Sequence, residues 1–79
     1  MPTIFVVDGY RFFFFSNEGT EPLHIHVEKA EKYAKFWLNP TALAISHKFN
    51  SSELKTIEEI IEKRKKEIEG KWNEYFSIR

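Results

Sequence analysis

The sequence contains no cysteine, and it has only three glycines and three prolines among its 79 residues. The lack of cysteine excludes disulfide bonds and thiolate metal clusters as sources of stability. The scarcity of glycine and proline excludes collagen-like and low-complexity chains. A chain of this length can form one hydrophobic core but not a second, so we expect a single domain over residues 1–79.

The sequence has no excess of positive or negative charge, because 12 lysines and arginines balance 12 aspartates and glutamates. No overall basic field therefore attracts nucleic acid, although a local patch could do so. No stretch approaches the roughly 18 uncharged apolar residues of a membrane span. The start, Met1-Pro2-Thr3, lacks the basic segment of a signal peptide. We therefore expect no membrane association and a cytoplasmic location.

The first part of the chain predicts a β-hairpin. Residues 3–7 and 10–16 are β-branched or aromatic runs, and Asp8-Gly9 between them is typical of a two-residue type I′ turn. The resulting register pairs Val7 with Tyr10, Val6 with Arg11, Phe5 with Phe12 and Ile4 with Phe13. One helix can cover only one face of a sheet, so the other apolar face must meet a returning segment or another molecule. We expect self-association or partner binding through Ile4, Val6, Phe13 and Phe15.

Two further strands are predicted over residues 23–28 and 33–38, where apolar and polar side chains alternate. A four-residue loop over 29–32 places the apolar members of both strands on one face. These members are Leu23, Ile25, Val27, Ala34, Phe36 and Leu38. On the opposite face, His24 aligns with Trp37, His26 with Lys35 and Glu28 with Tyr33.

The remainder of the chain predicts a short strand and a helix. Residues 41–46 can form a fifth strand after Asn39-Pro40. Asn50 is the expected helix N-cap, with Glu53 at the third helical position. An apolar stripe then predicts one long helix over 51–76, in which Gly70 can cause a bend or an end. The stripe consists of Leu54, Ile57, Ile61, Ile68, Trp72 and Tyr75 or Phe76. We expect an α+β fold, an antiparallel sheet of four or five strands with one long C-terminal helix packed on one face.

The polar face of the third and fourth strands has the residue types that RNA cleavage needs. A ribonuclease requires a general base, a general acid and a cation near the scissile phosphate. The catalytic candidates are His24, His26, Glu28, Lys35 and Arg11. Trp37 and Tyr33 add rings on which an unpaired base can stack. The alternative is that these polar side chains alternate outward because this face is solvated.

The same histidines allow a second hypothesis, metal binding. His24 and His26 stand two residues apart on one strand face, so their imidazoles can share an ion. Zinc takes three or four ligands, and Glu28 or His47 would have to complete the set. No other pattern indicates a cofactor, so we expect none, with zinc as the alternative.

Six segments carry a family resemblance: 1–4 (MPTI), 8–14 (DGYRFFF), 16–18 (SNE), 22–28 (PLHIHVE), 34–38 (AKFWL) and 72–76 (WNEYF). Together they resemble domain-of-unknown-function family 4160. The most specific segment is the Pro-x-His-x-His-Val-Glu run over 22–28, with Ile25 where valine is usual. The resemblance implies no catalytic residues. It implies a short bacterial chain encoded beside a second small protein, an arrangement similar to toxin–antitoxin pairs.

We therefore expect a toxin–antitoxin-type interaction module whose histidine-bearing face contacts RNA or a partner protein. If the chain is an enzyme, a metal-independent ribonuclease is the first hypothesis. The alternatives are a non-catalytic binding or structural protein, dimeric or not, and a metal-binding module. A small partner protein or a second copy of the chain is the expected partner, with RNA as a further candidate.

Overall fold

The computed structural model describes residues 3–15 and 21–76, which form five strands followed by two helices. The strands are β1 (Thr3–Val7), β2 (Tyr10–Phe13), β3 (His24–Lys29), β4 (Lys32–Trp37) and β5 (Ala42–His47), and the helices are α1 (Ser51–Lys63) and α2 (Lys65–Tyr75). The strands form one antiparallel sheet in the order β1-β2-β3-β4-β5. The predicted α+β class and the fifth strand are confirmed. The expectation of one long helix is wrong, because the helical segment is divided in two.

The first hairpin has the predicted turn. Asp8 and Gly9 have φ angles of 52° and 82°, as a type I′ turn requires. The pairs Val7–Tyr10, Val6–Arg11 and Phe5–Phe12 are as expected, but Phe13 pairs with Thr3 and not with Ile4. A register shift between Thr3 and Phe5 explains the difference, since one extra residue in a strand displaces every later pair. Strand β2 ends at Phe13, earlier than predicted, and the predicted end at residue 16 lies outside the described residues.

The second hairpin has the predicted register. The pairs His24–Trp37, His26–Lys35 and Glu28–Tyr33 are all present. The turn is shorter than expected, because Lys29 and Lys32 pair with each other and only Ala30-Glu31 connects them. Shortening a loop by one residue on each side leaves every cross-strand partner unchanged. The predicted assignment of side chains to the two faces of the sheet is therefore correct although the predicted loop was too long.

Both helices contribute to one hydrophobic core on one side of the sheet, which we call the helix face. Ile57, Ile61 and Ile68 of the predicted stripe are fully buried. They pack with residues that lie in the strands or directly after them and are buried to a similar degree, namely Phe12, Phe14, Ile25, Val27, Ala34, Phe36 and Leu38. Neither helix is long and apolar enough to cross a bilayer, as judged over the described part of the chain.

The helix begins as predicted and is interrupted at an unexpected place. The Asn50 side chain accepts a hydrogen bond from the Glu53 N–H at 2.8 Å, and the Glu53 carboxylate accepts one from the Asn50 N–H at 3.0 Å. The break lies at Arg64 (φ −112°, ψ 19°) and not at Gly70, which is inside α2. Arg64 occupies the position of the stripe between Ile61 and Ile68, and its guanidinium lies 4.7 Å from the centre of the Phe5 ring.

The outer face of the first hairpin is not the open apolar surface that we expected. Phe13 is only 2% exposed, because its ring stacks on His26 and meets Phe15 edge to face. Ile4 is half-buried against the core, and only Val6 is well exposed, at 60%. The chain itself covers Phe13, and the expected self-association or partner binding through this face stays a prediction.

Candidate functional site

The side of the sheet opposite the helices, here called the histidine face, holds the residues that the sequence singled out. Three adjacent strands, β2, β3 and β4, bring them together. The members are Arg11 from β2, His24, His26 and Glu28 from β3, and Tyr33, Lys35 and Trp37 from β4. Cross-strand pairing places these side chains next to one another, as the alternating pattern predicted.

The histidines of this face are buried, and so they do not point into solvent as the alternative of a solvated face predicted. His24 is 0% exposed and His26 is 1% exposed. The His24 ring contacts two indoles, with centroid distances of 5.5 Å to Trp37 and 5.1 Å to Trp72 of α2. The two imidazoles are 5.0 Å apart and perpendicular to each other. The alternative of a solvated face is therefore wrong at the two histidines, because aromatic side chains pack over them.

His24 is held in one orientation by the chain just before β3. Its Nδ1 lies 2.9 Å from the carbonyl oxygen of Pro22 and 3.9 Å from a carboxylate oxygen of Glu21. A carbonyl can only accept a hydrogen bond, so Nδ1 carries a proton and donates it. In the neutral ring Nε2 is then the basic nitrogen, which is the tautomer a general base at this position would use.

His26 is oriented by an aromatic hydroxyl. The Tyr33 hydroxyl lies 2.7 Å from Nδ1 of His26, and the two rings stack with a 5.8 Å centroid separation. A phenol can donate or accept, so this contact is compatible with either tautomer of the imidazole. The Tyr33 ring therefore contacts His26, whereas the sequence suggested that it could stack on an RNA base.

The two cations of the histidine face are already neutralised within the chain. Arg11 donates to Glu28 at 2.6 Å and lies over the Phe13 ring at 4.4 Å. Lys35 donates to Glu21 at 3.0 Å and lies over the Trp37 ring at 4.4 Å. Because each charge has a carboxylate partner, the face offers an incoming phosphate little net attraction.

Sequence reasoning missed two residues of this site, Glu21 and Trp72. Glu21 belongs to a turn segment, where no periodicity indicates which way a side chain points. Trp72 was assigned to the helix-face stripe, and it does contact Phe14 at 5.1 Å between ring centres, but it also reaches His24. A position in a helical stripe does not show that a large indole can contact a second cluster.

The zinc hypothesis stays a prediction. His47 lies opposite Tyr33 on the neighbouring strand β5. Within residues 3–15 and 21–76, no group of three or more His, Asp or Glu side chains is arranged to hold a metal ion.

An ion pair joins β4 to the start of α1. The Lys32 ammonium lies 2.6 Å from a carboxylate oxygen of Glu53. This hydrogen bond raises the pKa of Lys32 above its ordinary value. The same hydrogen bond, followed by the one from the backbone N–H of Asn50, lowers the pKa of Glu53. The helix cap and the sheet are thus electrostatically linked.

Strand β5 is the second candidate functional feature. All six of its residues are exposed, and in the described part of the chain it pairs only with β4. Leu43 is 46% exposed and Ile45 is 50% exposed. The register shifts at Ala44, so that Leu43 pairs with Phe36 on the helix face and Ile45 pairs with Lys35 on the histidine face. Each side of this edge therefore presents one apolar side chain.

A shallow groove lies beside Leu43 of β5 on the helix face. Its apolar floor comes from Phe36, Leu43 and Leu54, and its polar rim comes from Ser51, Lys55 and Glu58. The first two turns of α1 thus lie beside the open edge. The sequence predicted the edge strand after Pro40 but gave no sign of the groove.

The fold and these two surfaces define a small α+β domain with a five-stranded antiparallel sheet and helices on one face. The model of the family described as Domain of unknown function (DUF4160) matches residues 9–73, and the chain belongs to this family. No match was found among the curated proteins or the solved structures with which the chain was compared.

Proposed function

We propose that the chain is a protein-interaction module that binds another polypeptide by adding a strand at β5. The observation that carries the proposal is the exposure of every residue from Ala42 to His47 at the end of the sheet. An edge strand presents a row of backbone N–H and C=O groups, and peptide ligands bind such edges as an additional strand.

The composition of β5 favours this function. Proteins usually protect an exposed edge with lysine, proline or an inward-pointing charge, and the segment Ala42–His47 contains none of these. Leu43 and Ile45 lie on opposite faces of the edge, so an added strand would bury apolar surface on both sides of the sheet.

The other edge of the sheet is less suited to the same role. In β1, the side chains of Ile4, Phe5 and Val7 are half-buried, and they pack against the core. The groove beside β1 is lined by Lys71 and Glu74 of α2, so charged side chains flank this edge. Strand addition is therefore proposed at β5 and not at β1.

Site-specific crosslinking tests the proposal. A photoreactive phenylalanine analogue replaces Ile45 in one variant and Val6 in another, and both are expressed in cells of the source organism. These positions match, because each is an exposed aliphatic residue on an edge strand. We expect a discrete crosslinked protein from position 45 and none from position 6. Adding Leu43→Lys to the first variant should abolish the product, since an edge charge opposes strand addition.

Equal crosslinking from the two positions, or none from position 45, would contradict the proposal. Near-ultraviolet circular dichroism of each variant verifies that the aromatic core is intact, so that loss of crosslinking cannot be attributed to unfolding.

RNA cleavage by a toxin of a toxin–antitoxin pair is the second candidate function. The observation that favours it is the pair of imidazoles 5.0 Å apart, with Lys35 as the cross-strand partner of His26. Because both imidazoles are buried, the aromatic cover would have to move before a phosphate could reach them.

Growth arrest on expression tests this candidate, with His24→Gln/His26→Gln as the comparison. Glutamine keeps hydrogen-bonding capacity and removes titration. If the chain is a ribonuclease, the wild-type protein should arrest growth and the double variant should not. The cleavage activity should also follow a bell-shaped pH profile and persist in the presence of a chelator. Zinc-dependent action would instead disappear in chelator. If cells that express wild type and cells that express the double variant grow equally, RNA cleavage by the histidines is rejected, and strand addition at β5 is left as the function.

A further inference from the structure

We propose that the strand added at β5 comes from a second copy of this chain, which forms a two-fold symmetric dimer with a continuous sheet. This inference rests on the proposed function of β5 and specifies its partner. It comes from the charge pattern of β5 and of the adjoining groove of α1.

The edge strand is compatible with itself. From Ala42 to His47 it has no lysine, arginine, aspartate or glutamate, so antiparallel pairing with its own copy places no like charges opposite each other. A two-fold dimer uses the same surface on both subunits, and any charge on β5 would therefore be repeated across the axis. The uncharged composition removes this cost.

The groove beside β5 provides complementary charges under the same symmetry. Lys55 and Glu58 are three residues apart on α1, so they lie on one side of the helix. A two-fold axis perpendicular to the sheet at the shared edge places the two α1 helices on the same side and antiparallel. Lys55 of each copy then faces Glu58 of the other, which gives two equivalent ion pairs.

These two side chains are available for such pairing. Both are exposed, and among the described residues neither forms an ion pair within the chain. Between them, Leu43 and Leu54 supply apolar surface that the second copy would cover. The interface is thus apolar along the strand and charged at its rim, as protein interfaces usually are.

The dimer should be weak and reversible. One short strand and two helical turns bury a small area, and interfaces below about 1,200 Å² are mostly of low affinity. The register shift at Ala44 also limits the length of the new ladder. Association is therefore expected at micromolar concentrations of the full chain.

Sedimentation velocity from low to high micromolar concentration tests the proposal with four proteins. Wild type should show a reversible monomer–dimer equilibrium. Lys55→Glu places two glutamates opposite each other at both symmetric positions, and it should weaken dimerisation by about tenfold or more, since like charges across an interface cost several kcal/mol. Lys55→Glu/Glu58→Lys exchanges the two charges and should restore it. Lys66→Glu changes net charge equally at an exposed position of α2, and should behave as wild type.

A wild-type chain that stays monomeric throughout overturns the inference, as does a dimer that Lys55→Glu leaves unchanged. The crosslinking experiment separates this failure from failure of the proposed function. A product with the mass of two copies supports both proposals. A product with a different protein, together with a monomeric chain, overturns the dimer and leaves strand addition in place. No product overturns the proposed function itself.

Discussion

The two described glycines, Gly9 and Gly70, have opposite surroundings. Gly9 has a φ of 82°, and a Cβ added there would lie 3.2 Å from Cε of Lys29. Gly70 is inside α2, and an added Cβ would meet no atom within 4 Å. The first glycine is therefore required by the turn, whereas the second weakens a helix that has room for a side chain.

We predict that Gly70→Ala raises the free energy of unfolding by about 0.5 to 1 kcal/mol, because alanine loses less entropy in a helix. Gly9→Ala should lower it by about 1 kcal/mol or more, because alanine is strained at positive φ. Urea titration of both variants measures the difference. A destabilising Gly70→Ala would show that the chain does not continue as a helix through this position.

At the scale of single residues, the sequence predicted where the histidines lie but not how they are covered. Alternation along residues 23–28 determines which side chains share a face, and the register of His24 and His26 is as expected. What covers a face depends on segments distant in sequence. The indole of Trp72 and the ring of Phe13 reach the histidines only after the chain has folded. Local periodicity holds no information about such contacts.

Among the elements, α1 depends on the pair Lys32–Glu53 as well as on its cap. The pKa of Glu53 is lower in the folded chain than its unfolded value of about 4.3, so its contribution to stability is present above that value. It is lost as the pH falls through the lower, folded pKa. For Lys32, whose pKa is raised, the contribution is present below about pH 10.4 and is lost as the pH rises through the folded pKa.

We therefore predict that Glu53→Gln reduces the loss of stability in acid. Glutamine at this position still accepts the hydrogen bond of the capping box, so the cap is retained while the titrating group is removed. Urea unfolding between about pH 2 and pH 6 measures the effect, since this window spans the folded and unfolded pKa values. Glu74→Gln, at an exposed position of α2, is the control. Identical acid profiles for all three proteins would contradict the prediction.

The two ends of the helical segment should contribute differently to the free energy of unfolding. Asn50→Ala removes the N-cap and should cost about 1 kcal/mol. Trp72→Ala removes a ring that contacts Phe14, Phe76 and His24, and should cost about 3 kcal/mol, as loss of a large packed side chain does. Denaturant titration compares them. If Trp72→Ala were the milder change, α2 would not dock through this residue.

The break between α1 and α2 shows what the sequence pattern could not provide. Glycine and proline are the usual signals of an interrupted helix, and Gly70 was the only such signal in the stripe. The break instead follows Lys63, at Arg64, whose N–H lies 3.1 Å from the Ile60 carbonyl and 3.2 Å from that of Ile61. Arginine has good helix propensity, so its departure from helical geometry accompanies its packing on Phe5, a tertiary contact.

For the whole molecule, a weak dimer would make stability depend on concentration. Binding between native copies stabilises the folded state by mass action, and a chain of this size buries a small core. We predict that the thermal midpoint of wild type rises from low to high micromolar concentration. Lys55→Glu should remove most of this dependence and leave the low-concentration midpoint unchanged, because Lys55 is exposed. Concentration-independent melting of wild type would contradict the prediction.

The arrangement around His24 also gives the protein an optical reporter. The sequence has two tryptophans, and both indoles lie within 5.5 Å of this one imidazole, measured between ring centres. The entire tryptophan fluorescence of the chain therefore originates from indoles that contact His24. Contact with solvent shifts indole emission to longer wavelength. A change in the colour of this emission would register exposure of the indoles around His24 to solvent, without any added label.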